Sequence, residues 1–139
     1  MLRSLILSAA MLVAAPQLAA AQSKQPPCPT SRKIAWTDCD GSYTYDDWST
    51  YVGGFKDDKR HGQGAMVYPD GQKYVGGFKF DRRDGPGVYT SPNRNRWAGE
   101  FRDDQPNGRG VLTDKDGKVL KAGVWEKGVF VEDAQNAAK

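Results

Sequence analysis

The chain has 139 residues, with 38% hydrophobic and 11% aromatic side chains, a composition that excludes intrinsic disorder, since disordered chains are poor in aromatics. A formal net charge of +3 lacks the marked basic excess of a nucleic-acid binder, so no nucleic acid is expected as a partner. The 16 glycines stand well above the roughly 7% that is ordinary, and in an ordered chain they must answer a repeated backbone need.

The first segment, MLRSLILSAAMLVAAPQLAAAQS, places Arg3 before an apolar run from Leu5 to Ala15 and small residues at Ala19 and Ala21. This is the signature of a cleavable secretory signal peptide, expected over residues 1–21. Pro16 and Gln17 interrupt the run short of the roughly 20 apolar residues that a spanning helix needs. With Arg3 removed, 19 basic side chains face 17 acidic ones, a net of +2. The mature chain is expected to begin at Gln22 and to work in the periplasm or outside the cell.

Residues 22–40 read as a polar, proline-rich leader followed by a cap. Cys28 and Cys39 are the only two cysteines, and an even pair in an exported chain predicts a disulfide. Closing so small a ring contributes on the order of 2 to 3 kcal/mol in the loop-entropy account. Zinc is disfavoured because there is no C-x-x-C, and His61, the one histidine, lies far along the chain.

From Gly41 to Phe130 the chain repeats itself. Y-x-G-x-F occurs as Tyr51-Gly53-Phe55 and Tyr74-Gly76-Phe78, then as Trp97-Gly99-Phe101 and, weakly, as Lys121-Gly123-Trp125, with starts 23, 23 and 24 residues apart. Glycine pairs keep the same beat at Gly62 and Gly64, Gly85 and Gly87, and Gly108 and Gly110; Gly41 to Thr50 is a half repeat in which Cys39 stands at a glycine position. Period-two alternation with frequent breakers predicts β-hairpins: one strand over Tyr51 to Lys56, a polar turn DDKR, a second strand around Gln63 to Tyr68, and a Pro69-Asp70-Gly71 turn into the next unit. Trp48 occupies the turn-glycine position of the half repeat, where a positive φ is strained, so a different turn or an offsetting use is expected there. Tyr51, Tyr74 and Trp97 should form one row on a sheet face, spaced by about 9.6 Å, and Phe55, Phe78, Phe101 and Trp125 another.

YVGGFKDDKRHGQG followed by YVGGFKFDRRDGPG resembles the membrane occupation and recognition nexus (MORN) repeat, and the opening CPTSRKIAWTDCDGSYTY is similar to small exported bacterial proteins of that type. The resemblance implies an all-β fold: an elongated, twisted, single-sheet antiparallel meander of stacked hairpins, used as an interaction scaffold and in some members credited with binding phospholipid headgroups. Departures are Trp97 and Lys121 for the first aromatic, Arg94 for a turn glycine and one extra residue after Gly117. Hairpins that are unstable alone need end caps. The Cys28 to Cys39 segment suits the N-terminal end, and residues 131–139 form a tail that is either a short capping helix or frayed.

Two sets of contact residues follow. If exposed, Tyr51, Tyr74 and Trp97 are the candidates for a face that binds a protein or envelope partner; otherwise they pack against neighbouring strands. The alternative is a peripheral lipid module using the basic turns at Lys59, Arg60, Arg82 and Arg83. Interleaved Asp57, Asp58, Asp81 and Asp84 weigh against it, because lipid-holding clusters are usually uninterrupted. No catalytic residue, metal site or cofactor is expected. His61 reads as a turn residue without triad partners, Asp114-x-Asp116-Gly117 lacks the later ligands of a calcium loop, and the G-x-G pairs open no helix that could hold a phosphate.

Overall fold

A computed structural model describes residues 24–133 apart from Arg32. The expected signal segment, residues 22 and 23 of the leader, and the tail from residue 134 lie outside the described residues. The strands are β1 (Cys39–Thr44), β2 (Thr50–Lys56), β3 (Lys59–Val67), β4 (Lys73–Lys79), β5 (Arg82–Thr90), β6 (Arg96–Arg102), β7 (Gln105–Thr113), β8 (Val119–Glu126) and β9 (Val129–Asp133). They form one antiparallel sheet in the order of the chain. β9 runs on past Phe130, where the sequence reading ends the repeats.

Two kinds of turn alternate along the sheet edges. Asp57-Asp58, Phe80-Asp81, Asp103-Asp104 and Lys127-Gly128 each have positive φ at both residues, the type I′ geometry whose twist matches that of the flanking strands. The DDKR turn is therefore only two residues long, and Lys59, Arg60, Arg82 and Arg83 are strand residues rather than turn residues. On the opposite edge, residues 45–49, 68–72, 91–95 and 114–118 make one five-residue loop four times over. In each, the first N–H donates to the fifth carbonyl and the fourth N–H to the first carbonyl, as in Tyr45 to Ser49 (2.8 Å) and Trp48 to Tyr45 (2.9 Å). The half repeat thus uses the same loop as the others, with Trp48 forced to φ 65°. The extra residue after Gly117 is absorbed in β8, where Leu112 pairs with Lys121 but Thr113 with Val119, leaving Leu120 as a bulge.

Register places the glycines in one line. Gly41, Gly53, Gly64, Gly76, Gly87, Gly99, Gly110 and Gly123 pair successively from β1 to β8. Along the front face these glycines form a trench, and the first aromatic of each unit lies down in it: Tyr51 over Gly64, Tyr74 over Gly87 and Trp97 over Gly110. A Cβ at Gly64 would stand 2.4 Å from the Tyr51 ring. The Tyr51 hydroxyl donates to the Gly54 carbonyl, and that of Tyr74 to Gly77, each at 2.9 Å. The indole at position 97 cannot repeat this bond, and its Nε1 is buried without a partner among the described residues.

The second aromatics bridge the first ones edge to face. Phe78 touches both Tyr51 (5.0 Å between centroids) and Tyr74 (5.1 Å), Phe101 touches Tyr74 (5.0 Å) and Trp97 (4.6 Å), and Trp125 touches Trp97 (5.7 Å). Such pairs are each worth about 0.5–1.5 kcal/mol beyond area burial. The core is thus a zigzag of rings on one face of one sheet.

At the N-terminal end the cap imitates a preceding unit. Cys28 and Cys39 are disulfide-bonded, and Pro26 to Cys28 run beside β1, with Cys28 N–H donating to Asp40 O and Asp40 N–H to Pro26 O. Trp36 lies over Gly41 and packs edge-on against Phe55 at 4.8 Å.

Gly64→Ala is expected to lower the unfolding free energy by about 1–3 kcal/mol through overpacking. Tyr74→Phe should lower it by about 1–3 kcal/mol by leaving the Gly77 carbonyl unpaired. Urea unfolding with the disulfide intact measures both, and an unchanged midpoint would mean the ring does not lie in the trench. Burial, opposed by Arg60 and Arg83 respectively, pushes the Tyr51 and Tyr74 phenols well above their ordinary value near 10. The unfolded chain then releases these protons first, so stability is complete below about pH 10 and falls as pH rises beyond it. In an ultraviolet titration these two of the six tyrosines should ionise only as the protein unfolds.

Candidate interaction surface

The front face does not offer the aromatic row to a partner. Tyr51, Tyr74 and Trp97 are 0%, 1% and 5% exposed, because each ring lies in the glycine trench under its neighbours. They constitute the core and are withdrawn as contact residues. Tyr43, Tyr45, Tyr68 and Tyr89 lie half-buried over that core.

Of the four basic residues, the arginines are engaged. Arg60 N–H donates to Asp81 Oδ1 at 2.9 Å, its Nε meets the same oxygen at 3.1 Å, and its Nη2 donates to the Asp81 carbonyl at 2.8 Å. Its guanidinium lies over Phe78 at 5.4 Å. Arg83 repeats the arrangement with Asp104 and lies over Phe101 at 5.2 Å. Arg82 pairs with Asp103 at 3.3 Å in a more exposed position, and Lys59 is exposed. The structure brings Arg60 and Arg83 into the front-face stack and leaves Lys59 and Arg82 on the other side.

These contacts belong to a clasp that joins each type I′ turn to the preceding hairpin. The second turn residue donates its N–H back to a carbonyl of the preceding unit or of the cap (Asp58 to Trp36, Asp81 to Arg60, Asp104 to Arg83 and Gly128 to Pro106, at 2.8–3.0 Å). In the first three cases its carboxylate accepts the N–H of that same residue. Proline has no N–H to offer, and opposite Pro106 the turn residue is Gly128, which has no carboxylate.

Strand alternation puts a different set of residues on the back face. Val52 pairs with Ala65, then Val75, Val88, Ala98, Val111 and Ala122 follow in register from β2 to β8. This row of small apolar side chains is half-buried to exposed throughout, reaching 54% at Val52. It spans six strand spacings, about 29 Å. Toward the type I′ edge lies a row of exposed or half-exposed cations, Lys56, Lys59, Lys79, Arg82 and Arg102. Toward the loop edge the row is rich in threonine and includes Lys73 and Arg96.

The sequence reading missed this row. Its signal was the residue between the aromatic and the glycine of each Y-x-G-x-F (Val52, Val75, Ala98, Ala122) and the one after each glycine pair (Ala65, Val88, Val111), small and apolar every time. Trp36 was missed for want of any repeat around it. Trp48, at φ 65° and 80% exposed, recovers none of its strain through burial. Among the described residues no group of three or more His, Cys, Asp or Glu is placed to hold a metal, and no helix is long and apolar enough to cross a membrane.

Against known families, residues 51–73, 74–96 and 97–119 each match the MORN repeat. The chain belongs to the MORN-repeat family. No curated protein matches it significantly. MORN repeats are protein- or lipid-binding scaffolds and generally a non-catalytic module. In this chain the matched units begin at the rings that lie in the trench, so the family pattern coincides with the physical repeat.

Trp48→Gly should stabilise the fold by about 1 kcal/mol, because glycine adopts the positive φ of the loop without strain. A higher urea midpoint with an unchanged circular dichroism spectrum is the expected result; a lower midpoint would reveal a stabilising contact of the indole.

Proposed function

We propose that this protein is a non-catalytic, exported MORN-repeat scaffold that binds a protein or envelope partner through the back face of its sheet. The observation that carries this reading is the unbroken Val52-to-Ala122 row of apolar side chains, on a face with no second layer among the described residues. A contiguous exposed apolar patch on a soluble chain marks an interaction site more often than chance exposure does. Export is supported by the N-terminal sequence pattern and by the Cys28–Cys39 disulfide, since disulfides persist in oxidising compartments.

Peripheral lipid binding through Lys59, Arg60, Arg82 and Arg83 is the weaker reading. Arg60 and Arg83 have their guanidinium groups committed to carboxylates and rings, so a headgroup would have to break those contacts.

A photo-crosslinking side chain placed at Ala98, on the back-face row, should yield an adduct in the producing cell. The same probe at Asp116, on a loop tip, should not. Adducts from the loop alone would remove the back face from consideration. Intact mass of the recovered protein should correspond to Gln22 through Lys139, and a mass including the first 21 residues would remove the export reading.

A further inference from the structure

The charges that interleave along the sequence are sorted by the fold. In KDDKR, KFDRR and RDDQ the second turn carboxylates, Asp58, Asp81 and Asp104, turn into the clasps and accept backbone N–H groups. The flanking cations alternate to the other side. Lys56 pairs with Lys59 and Lys79 with Arg82, like charges side by side in register, with Arg102 continuing the row. Arg82 is offset by Asp103 at 3.3 Å, but facing like-charge pairs destabilise a sheet, and Lys56, Lys59, Lys79 and Arg102 have no carboxylate within 4.0 Å among the described residues.

Between the cation row and the apolar row, Gly54 and Gly77 are buried with the His61 and Asp84 carbonyls where a Cβ would stand, and Gln63, Pro86, Glu100 and Arg109 occupy β3, β5, β6 and β7. Beyond the apolar row stand Lys73 and Arg96 among threonines. The strand carboxylates on this face are Asp40, Asp84, Glu100 and Glu126 among the described side chains, and Asp40 has a buried oxygen. The face is therefore an apolar seam with a net cationic flank.

We infer that this seam docks one acidic polypeptide segment, whose apolar side chains lie on the Val52-to-Ala122 row and whose carboxylates meet Lys56, Lys59, Lys79 and Arg102. The inference rests on the back-face reading above and names its partner class. Charge complementarity carries it. Geometry selects a flexible segment over a membrane: neighbouring strands rotate by 20–25°, so the seam turns through roughly 120–150° from β2 to β8. A flat bilayer could touch only a few strands at once, and the seam's short side chains do not protrude into it. A second copy of the chain stacked back to back is disfavoured: with strands running the same way the cationic rows coincide, and with strands reversed each lies over the loop-edge row that carries Lys73 and Arg96.

The test uses the mature, disulfide-bonded protein and a fluorescent acidic peptide with interspersed valine and leucine, its lysine-for-glutamate counterpart, and anionic vesicles. Binding of the acidic peptide that weakens from low to physiological salt is expected, with none for the basic peptide. Lys79→Glu and Arg102→Glu should each lower affinity by about tenfold. Val75→Thr with Val88→Thr, which keeps shape and strand propensity, should also weaken binding, while Trp48→Gly should not. Thermal melts and circular dichroism confirm that each variant is folded. No binding of the acidic peptide, binding indifferent to the two charge reversals, or binding of vesicles alone would each overturn the inference. If the Ala98 probe crosslinks to a basic partner segment, this inference fails and the scaffold reading stands; if the back face yields no adduct, both fail.

Discussion

The fold depends on the contact between an aromatic ring and a glycine on the next strand. A single sheet has no second layer against which to bury large side chains, so the rings must find cover on the sheet itself. Lying down is possible only where the adjacent strand presents no Cβ, and the eight glycines in register provide that surface. The ring at position 51 then needs Gly53 beneath its hydroxyl end and Gly64 beneath its edge. One requirement thereby accounts for the glycine of Y-x-G-x-F and the second glycine of each pair, while the first of each pair, Gly62, Gly85 and Gly108, meets no ring and instead adopts a positive φ.

Stacking units requires a second device, because the hydrogen-bonded register between hairpins ends before the turn. β3 and β4 pair from Gly62↔Phe78 onward, leaving Arg60 N–H and its carbonyl beyond the ladder. The next turn satisfies both, with a carboxylate and an N–H from Asp81. An unpaired donor at that position would cost about 1–3 kcal/mol if buried, so the carboxylate is needed wherever the strand residue has an N–H. Trp36 with Asp58 shows the cap obeying the same rule. Pro106 with Gly128 shows both halves of the demand absent together.

Much of this architecture was legible in the sequence. The 23-residue beat, the hairpins, the two aromatic rows and the disulfide all follow from alternation and cysteine count. Alternation says which residues share a face but not which face is covered, and so it left Tyr51, Tyr74 and Trp97 as candidates for a partner. Their burial depends on ring orientation, and that is set by glycines on a different strand. Charge was misleading for a related reason. Asp57, Asp58, Lys59 and Arg60 are neighbours in sequence, yet Arg60 projects to the front and Lys59 to the back, while Asp58 is drawn to Trp36. At Trp48 the expectation of a different turn yielded to the loop's four hydrogen-bonded copies, whose geometry dominates the preference of one side chain.

The two faces are under unequal constraint, and this bears on where recognition can reside. On the front, each position is occupied by a ring, by the glycine under it or by an arginine held in a clasp, and any change disturbs a neighbour on another strand. On the back, the side chains can vary without cost to the ring-and-glycine contact, which lies on the other face. The apolar choice at the seven seam positions is thus not demanded by folding: serine or threonine would serve the sheet as well, as they do one row away at Thr50, Thr90 and Thr113. A preference that folding does not require, kept across seven strands and flanked by like charges that oppose it, is most simply explained by something bound there.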